Sequence, residues 1–268
     1  MSGYIALTYY DLIAASLFLV LNAVFSIWLH LGLERQLLIA AMRMIVQLLL
    51  IGLVLKAVFA AASFWLTALI ACSMFVFAGY EIRARQERRV SGWWGYGVGA
   101  VPMIFAGLML TIFALTVQIE PEPWWTPRYA LPLLGMILGN TMTGISLGLD
   151  TLHTSLARER VAVEAQLMLG RRRLEALLPV TRRALRSGFT PIINAMAATG
   201  VVSLPGMMTG QILSGVDPQE AVKYQLLIMF LIGGATGLGV LGAVFASVWR
   251  LTDDRHRLRL DRLDFGYC

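Results

Sequence analysis

Residues 37–59 read LLIAAMRMIVQLLLIGLVLKAVF, an apolar run interrupted by three polar side chains, Arg43, Gln47 and Lys56. A helix needs about 20 apolar residues to cross the hydrocarbon core of a bilayer, and this run is long enough. The whole chain has the same character, since 58% of its 268 residues are hydrophobic, 14% are charged and the mean hydropathy is +0.71. The sequence therefore predicts a membrane protein rather than a water-soluble domain.

Apolar stretches of this kind recur along the chain and predict an all-α, polytopic membrane protein with about seven transmembrane helices. We expect one transmembrane domain over residues 1–268, with a long cytoplasmic segment at about 153–188 and a short basic cytoplasmic tail at 250–268. The predicted spans are 9–31, 37–59, 64–80, 98–117, 129–152, 189–213 and 224–249.

The positions of the basic residues predict the orientation, because cytoplasmic loops retain Lys and Arg. With the N-terminus outside and the C-terminus in the cytoplasm, the inner segments hold eighteen of the 22 basic residues. The first ten residues contain no Lys or Arg, so the first span is expected to remain as a helix. Topology thus explains the net charge of +6, and we expect lipid and no nucleic acid as a partner. The predicted location is the inner (plasma) membrane, crossed several times.

The residues inside the spans exclude several classes of enzyme. No span centre contains Asp, Glu or His, and residues 81–89 are interpreted as a solvated loop. The chain has no H-E-x-x-H motif, and neither of its lysines, Lys56 and Lys223, lies in a P-loop that would bind nucleotide phosphates. We therefore expect no enzymatic activity and no cofactor in this chain. Any ATP-driven work needs a separate subunit.

Two polar residues of the second span lie four apart on one helix face. Arg43 either snorkels to the headgroups or lines an interior path, since it lies roughly 9 Å from the cytoplasmic end at 1.5 Å per residue. Gln47 lies near the midplane, where an amide needs a hydrogen-bonding partner. For Gln47 a contact between helices is favoured over a position on a substrate path. The candidate residues for such a path are Arg43, Gln47, Met136, Asn140, Met142, Pro205, Met207 and Met208.

The fifth span combines small residues with an amide side chain, Asn140, that needs hydrogen bonds in hydrocarbon. Small or polar residues recur at intervals of four, at Gly135 and Gly139 and at Asn140, Gly144 and Gly148. This spacing allows a neighbouring backbone to approach closely. Asn140, beside Met136 and Met142, either packs in such a contact or faces a substrate path.

The sixth span contains the sequence VSLPGMMTG at 202–210. Pro205 cannot donate a hydrogen bond to the carbonyl of Val201, so a broken helix is predicted there. Broken helices at membrane depth occur where the freed carbonyls line a cavity or are buried in protein. Met207 and Met208 either fill gaps in the packing or offer thioethers to a soft metal, and the metal is not identified by the sequence.

The cytoplasmic segment at 153–188 is predicted to form a helix that stops at Gly170, followed by a second helical piece that carries Arg182 and Arg186. Its apolar residues need a partner. They either fold back on the lipid headgroups or dock on a soluble protein.

Several of these motifs, in this order, resemble the FetB-type permeases of ABC transporters, whose relatives include bacterial iron exporters and plant aluminium-tolerance permeases. The matching stretches are 43–48, 52–56, 135–140, 202–210 and 215–225, and the Leu-Pro-Gly-Met-Met sequence at 204–208 is the most diagnostic. The resemblance implies a permease that pairs with a separate cytoplasmic ATPase, which binds ATP, as two copies of each subunit.

The resemblance also assigns roles to residues. Glu164, Ala165 and Gly170 are similar to the Glu-Ala-Ala…Gly coupling loop of ABC permeases, with Gln166 in place of the second alanine. Arg182 and Arg186 are further candidates for contact with the ATPase. The implied function is ATP-driven export of metal, with iron as the family's substrate. The alternative is a membrane-anchored scaffold or signalling subunit that binds a cytoplasmic partner without transport.

Overall fold

Six long apolar helices account for most of the chain in the computed structural model, which describes residues 8–253 and 257–265. Within these residues, six helices are long and apolar enough to cross a membrane. They are α1 (Tyr9–Trp28), α2 (Glu34–Ala61), α3 (Phe64–Ala84), α4 (Trp94–Phe113), α5 (Pro127–Arg158) and α9 (Pro218–Arg250). The all-α, polytopic fold predicted from the sequence is confirmed.

Shorter elements join these helices. A π-helical turn, Ala114–Gln118, extends α4, and a 3-10 turn covers Leu260–Arg262. The remaining helices are α6 (Arg160–Met168), α7 (Arg173–Ala198) and α8 (Gly206–Leu213). Two short strands, β1 (Arg88–Val90) and β2 (Leu263–Phe265), pair in antiparallel register.

Local signals in the sequence explain two of the boundaries. Gly170 has φ +82°, a left-handed conformation that glycine adopts without steric cost, and it follows the end of α6. At the start of α9, the side chain of Asp217 accepts a hydrogen bond from the backbone N–H of Gln219 at 2.8 Å, and Pro218 occupies the first turn. The stop at Gly170 lies where the sequence predicts it, and α9 begins before the predicted span 224–249, at a sequence typical of a helix start.

The predicted sixth span, 189–213, is not one helix. α7 begins far earlier, at Arg173, and ends at Ala198, and residues 199–205 form a loop before α8. The break starts at Thr199 and Gly200, because Gly200 has φ +87° and its N–H donates to the carbonyl of Ser203 at 2.9 Å. Pro205 is therefore the N-cap residue of α8 rather than the residue that breaks α7.

α5 and α9 run in the same direction, which requires the chain to return between them. The ring of His153, near the end of α5, bonds both the carbonyl oxygen of Arg88 in β1 and the hydroxyl of Ser247 near the end of α9. The C-terminal ends of both helices therefore lie at the β1–β2 end of the molecule. The chain returns through α7 and α8. The number of seven crossings and the orientation of the chain in the membrane stay predictions.

The core forms where α4, α5, α7 and α9 pack together. A Cβ atom on Gly144 of α5 would lie 2.8 Å from the carbonyl oxygen of Gly188 in α7 and 2.7 Å from Cγ2 of Thr236 in α9. Gly144 therefore permits the close approach of backbones that the small-residue spacing predicts. Gly139, five residues earlier and on another face of α5, has space for a Cβ, with nothing within 4 Å.

The predicted basic tail is folded, not free, over the residues that the structure describes. Leu251 and Leu263 are buried in the same core cluster as Val90 of β1. β2 pairs with β1, and the N–H of Ser91 donates to the carbonyl of Arg262 at 2.7 Å. Residues 254–256 and 266–268 of the predicted tail lie outside the described residues.

Candidate functional site

A groove of about 700 Å³ opens between α2, α3 and α5. Its polar lining comes from α2 and the last turns of α3, and its apolar lining includes the small and flexible residues of α5. The polar residues are Gln36, Arg43, Gln47, Glu81 and Arg85, and the lining from α5 includes Gly135, Gly139 and Met142. We call this the α2–α3–α5 groove. It places three of the predicted path residues, Arg43, Gln47 and Met142, around one opening.

An ion pair joins two walls of the groove. Nη2 of Arg43 in α2 donates a hydrogen bond to Oε1 of Glu81 in α3. Arg85, directly after the end of α3, has its Nε 3.6 Å from Oε2 of Glu81. Arg43 therefore lies in the groove with a counter-charge, and its place on a substrate path stays a prediction.

The sequence interpretation missed Glu81. It assigned residues 81–89 to a solvated loop, whereas α3 continues to Ala84 and its last turns carry this carboxylate into the groove. A signal was available, because an arginine within an apolar span needs a counter-charge. Glu81, directly after the predicted third span, was within reach of that role.

Gln47 does not make the predicted contact between helices. Its side chain lines the groove and forms no hydrogen bond with any residue in the described ranges. The reason is the position of α2, which lies at the periphery: none of the residues in its most apolar 18-residue window is buried. The side-chain amide of Gln47 therefore faces the open volume of the groove.

The other predicted path residues lie elsewhere. Met136 and Met207 both pack against a second core cluster that includes Ile137 and Ile232. Asn140 is exposed, and its side-chain N–H donates to the carbonyl oxygen of Met136 at 2.8 Å, within its own helix.

Around the loop, Met208 is half-buried in α8 and Pro205 caps that helix. The eight predicted path residues are therefore divided between the groove, the second cluster, an exposed position on α5 for Asn140, and the first turn of α8 with its cap for Met208 and Pro205.

Side chains that commonly bind metal ions are not clustered in the described part of the chain. Among residues 8–253 and 257–265, no group of three or more His, Cys, Asp or Glu side chains could hold a metal. Within the groove one carboxylate, Glu81, faces two guanidinium groups. The other polar side chains of the groove are the amides of Gln36 and Gln47, so its lining is not a set of carboxylates.

α6 forms a short platform outside the long helices, where the coupling segment is predicted. Its residues Val163 and Leu167 pack inward on the core, whereas Met168 and Leu169 point away and are almost fully exposed. Glu164 pairs with Arg160 at 2.8 Å along the same helix.

The predicted coupling residues thus fall on two elements. Glu164 and Ala165 lie on α6, with Gly170 directly after it, and Arg182 and Arg186 are exposed on α7. Neither arginine side chain makes an ion pair with a described residue. The neighbouring Arg183 instead bonds Glu159, between α5 and α6, and so ties α7 to the start of this platform.

Comparison with known proteins matches residues 9–251 to the model of the uncharacterised protein family UPF0014. The UPF0014 membrane protein slr1647 of Synechocystis is 38% identical over 86% of this chain and 88% of its own length. The probable iron export permease protein FetB of Escherichia coli is 28% identical over 87% and 88%. The protein ALUMINUM SENSITIVE 3 of Arabidopsis thaliana is 34% identical over 83% and 80%. No solved structure matches.

Proposed function

Because the chain belongs to the UPF0014 family and is a multi-pass membrane permease, we propose that it is the transmembrane subunit of an ABC transporter that exports metal. A separate cytoplasmic ATPase binds ATP and supplies the energy. Iron is the first candidate substrate, since the name of the Escherichia coli relative specifies iron export.

The outward face of α6 is the observation that carries the proposal. Met168 and Leu169 remain exposed although Val163 of the same helix is buried. An exposed apolar helix face beyond the long helices suits a groove on a soluble partner. Because α6 lies between α5 and α7, a displacement of α6 pulls on both helices. That link would transmit movement of the ATPase to the core.

The substrate path in this proposal is the α2–α3–α5 groove. Its arginines and Glu81 would be costly in hydrocarbon without a function or a partner. The groove has α2 as one wall, and α2 is the least buried of the long helices. Rocking of the α1–α2 hairpin against α5 would open or close it.

A second copy of this chain fits the periphery of the molecule. α1 and α2 expose apolar residues along their length, with 11% and 0% of their most apolar windows buried. Lipid covers such surfaces in a monomer, and a partner copy covers part of them in a dimer. We include two copies of the permease and two of the ATPase in the proposed assembly.

Vesicles that contain the chain and its ATPase test the proposal. We expect ATP-dependent movement of iron across the membrane. The scaffold alternative predicts binding of the ATPase without any flux. ATP hydrolysis by the chain alone would contradict the proposal that a separate ATPase supplies the energy.

The coupling step has a matched pair of variants. Leu169→Ser and Leu213→Ser make the same change at exposed positions, 84% and 76% accessible, directly after α6 and at the end of α8. Leu169→Ser should weaken co-purification of the ATPase by about tenfold, because an apolar side chain would be lost from the docking groove. Leu213→Ser should leave co-purification unchanged, and equal effects of the two variants would argue against docking through α6.

A further inference from the structure

A second polar cavity, of about 220 Å³, lies where α9 ends and the tail turns back. Three arginines, Arg173, Arg250 and Arg262, line it together with Trp249, Thr252 and Asp253. It is remote in the sequence from every residue of the α2–α3–α5 groove, and the proposed function does not use it.

Arg250 brings an unused donor to this cavity. Its guanidinium carbon lies 4.9 Å from the centre of the Trp94 ring, a cation–π contact that uses none of its N–H groups. The Nε atom is buried and forms no hydrogen bond with any residue in the described part of the chain. The two terminal nitrogens of Arg250 also form no hydrogen bond with a described residue, so they are available to donate to a ligand in the cavity that this side chain lines.

Arg262, the second of these arginines, is held by a backbone contact rather than by an ion pair with a described residue. Arg262 donates from Nη1 to the carbonyl oxygen of Arg250 at 2.6 Å, which leaves its charge without a carboxylate among the described residues. The carboxylate of Asp253 accepts from the backbone N–H of Arg257 at 2.8 Å, and Nε of Arg257 lies 3.4 Å from it. Asp261 is engaged by Arg259 through two hydrogen bonds.

Aromatic residues indicate where this cavity lies relative to lipid. The rings of Trp94 and Trp249 are 6.4 Å apart, and both are about half exposed. Tryptophan is enriched at the boundary between hydrocarbon and headgroups. The cavity therefore lies at headgroup depth, at the end of the bundle that holds most of the basic residues.

We propose that this cavity binds the phosphate group of an anionic phospholipid, with Arg250 and Arg262 as the principal donors. Guanidinium groups match phosphate oxygens in geometry and charge, and basic pockets beside membrane helices recognise such headgroups. The same chemistry would accept inorganic phosphate from solution, so the experiment distinguishes the two sources.

The test is a titration of the detergent-purified full-length chain, followed by native mass spectrometry. Phosphatidylglycerol is compared with phosphatidylcholine, and inorganic phosphate is added separately. We expect phosphatidylglycerol to bind in preference to phosphatidylcholine, and Arg250→Gln to reduce that preference roughly fivefold through the loss of one charge. Arg250→Gln keeps the backbone carbonyl that holds Arg262, so the tail contact survives. Arg250→Lys should restore part of the preference.

Arg158→Gln is the matched control, since Arg158 is exposed at the end of α5 and does not line the cavity. Selective binding of phosphatidylglycerol that Arg250→Gln weakens and Arg158→Gln does not supports a lipid site. Inorganic phosphate that competes for the same site would identify a soluble source of the same group. Equal binding of both lipids with no effect of phosphate, or equal losses in the two variants, would overturn the proposal.

Discussion

The two faces of α5 carry similar small residues but meet different surroundings. On one face, Gly144 lies against the backbone of Gly188 and the side chain of Thr236. On the other, Gly139 borders the groove and has no atom within 4 Å of the position of a Cβ. Regular spacing of small residues therefore indicates where a close approach is possible. Whether a neighbour makes use of it depends on the rest of the fold.

The same contrast extends to whole helices. In α9, 56% of the most apolar window is buried, whereas in α2 none of it is. One side of α5 thus belongs to a packed bundle and the other to an open groove whose far wall is α2. This arrangement suits a permease, because a fixed core and a movable wall are both needed for a path that opens and closes.

Leucine substitutions of the two glycines should show the largest difference in stability between the two faces of α5. Gly144→Leu forces a side chain into the backbone of α7, and we expect the free energy of unfolding to fall by about 3 kcal/mol. Gly139→Leu has space and should leave the thermal midpoint nearly unchanged, while its side chain narrows the groove. Thermal melting in detergent measures both, and similar losses for the two variants would contradict the contrast.

The second largest effect on stability is expected at His153, in the packed end of the bundle. A carbonyl oxygen only accepts, so Nδ1 donates to Arg88 at 2.8 Å and Nε2 accepts from the hydroxyl of Ser247 at 2.7 Å. His153→Ala leaves a cavity and an unsatisfied carbonyl, for an expected loss of about 2 to 3 kcal/mol.

Ser247→Ala removes one of those two bonds and should cost about 1 kcal/mol. Amide hydrogen exchange at 88–90 should rise more in His153→Ala than in Ser247→Ala. Unchanged exchange in His153→Ala would show that β1 is held by other contacts.

Substitutions on the groove side of α5 should lower the free energy of unfolding less than those in the packed bundle. Glu81→Gln leaves Arg43 without its counter-charge, and we expect a loss of about 1 to 2 kcal/mol, reduced by exposure of the pair to water. A double-mutant cycle with Arg43→Gln isolates the interaction between the two side chains. Additive effects in the cycle would mean that the ion pair contributes nothing.

The smallest effect on stability is expected for an exposed ion pair of the tail, between Arg259 and Asp261. The two hydrogen bonds from Arg259 lower the pKa of Asp261 from 3.8 to about 2. Stabilisation from this pair is present above pH 3.8 and is lost as the pH falls toward 2. Asp261→Asn should leave the thermal midpoint at pH 7 unchanged, since exposed pairs contribute little. A midpoint shift larger than that of Glu81→Gln would reverse the order expected for the two pairs.

Much of the fold could be predicted because long apolar runs, caps and glycine stops act locally. The run at 37–59, the Asp217-Pro218 helix start and the stop at Gly170 all needed no information from distant residues. The sequence could not show which glycine stripe of α5 meets a neighbour, since that depends on where α7 and α9 pack. The pairing of β1 with β2 joins residues far apart in the chain and was equally hidden.

The candidate site was predicted only in part. Arg43, Gln47 and Met142 were singled out because polar and flexible residues within apolar spans are unusual. Glu81 was missed because its neighbours at 83–89 are mostly charged, which concealed the end of α3. The position of Met136 and Met207, in a cluster away from the groove, follows from helix rotation, which a pattern of residue types leaves undetermined.

Labelling with a water-soluble maleimide tests most directly whether the α2–α3–α5 groove is a hydrated path. Gly139→Cys and Leu147→Cys place thiols on exposed positions of α5, inside and outside the groove, in a chain that also carries Cys72→Ala and Cys268→Ala. In membranes, we expect labelling of Gly139→Cys and none of Leu147→Cys, because an exposed position outside the groove should be covered by lipid. Equal labelling of both, or none of Gly139→Cys, would contradict the account.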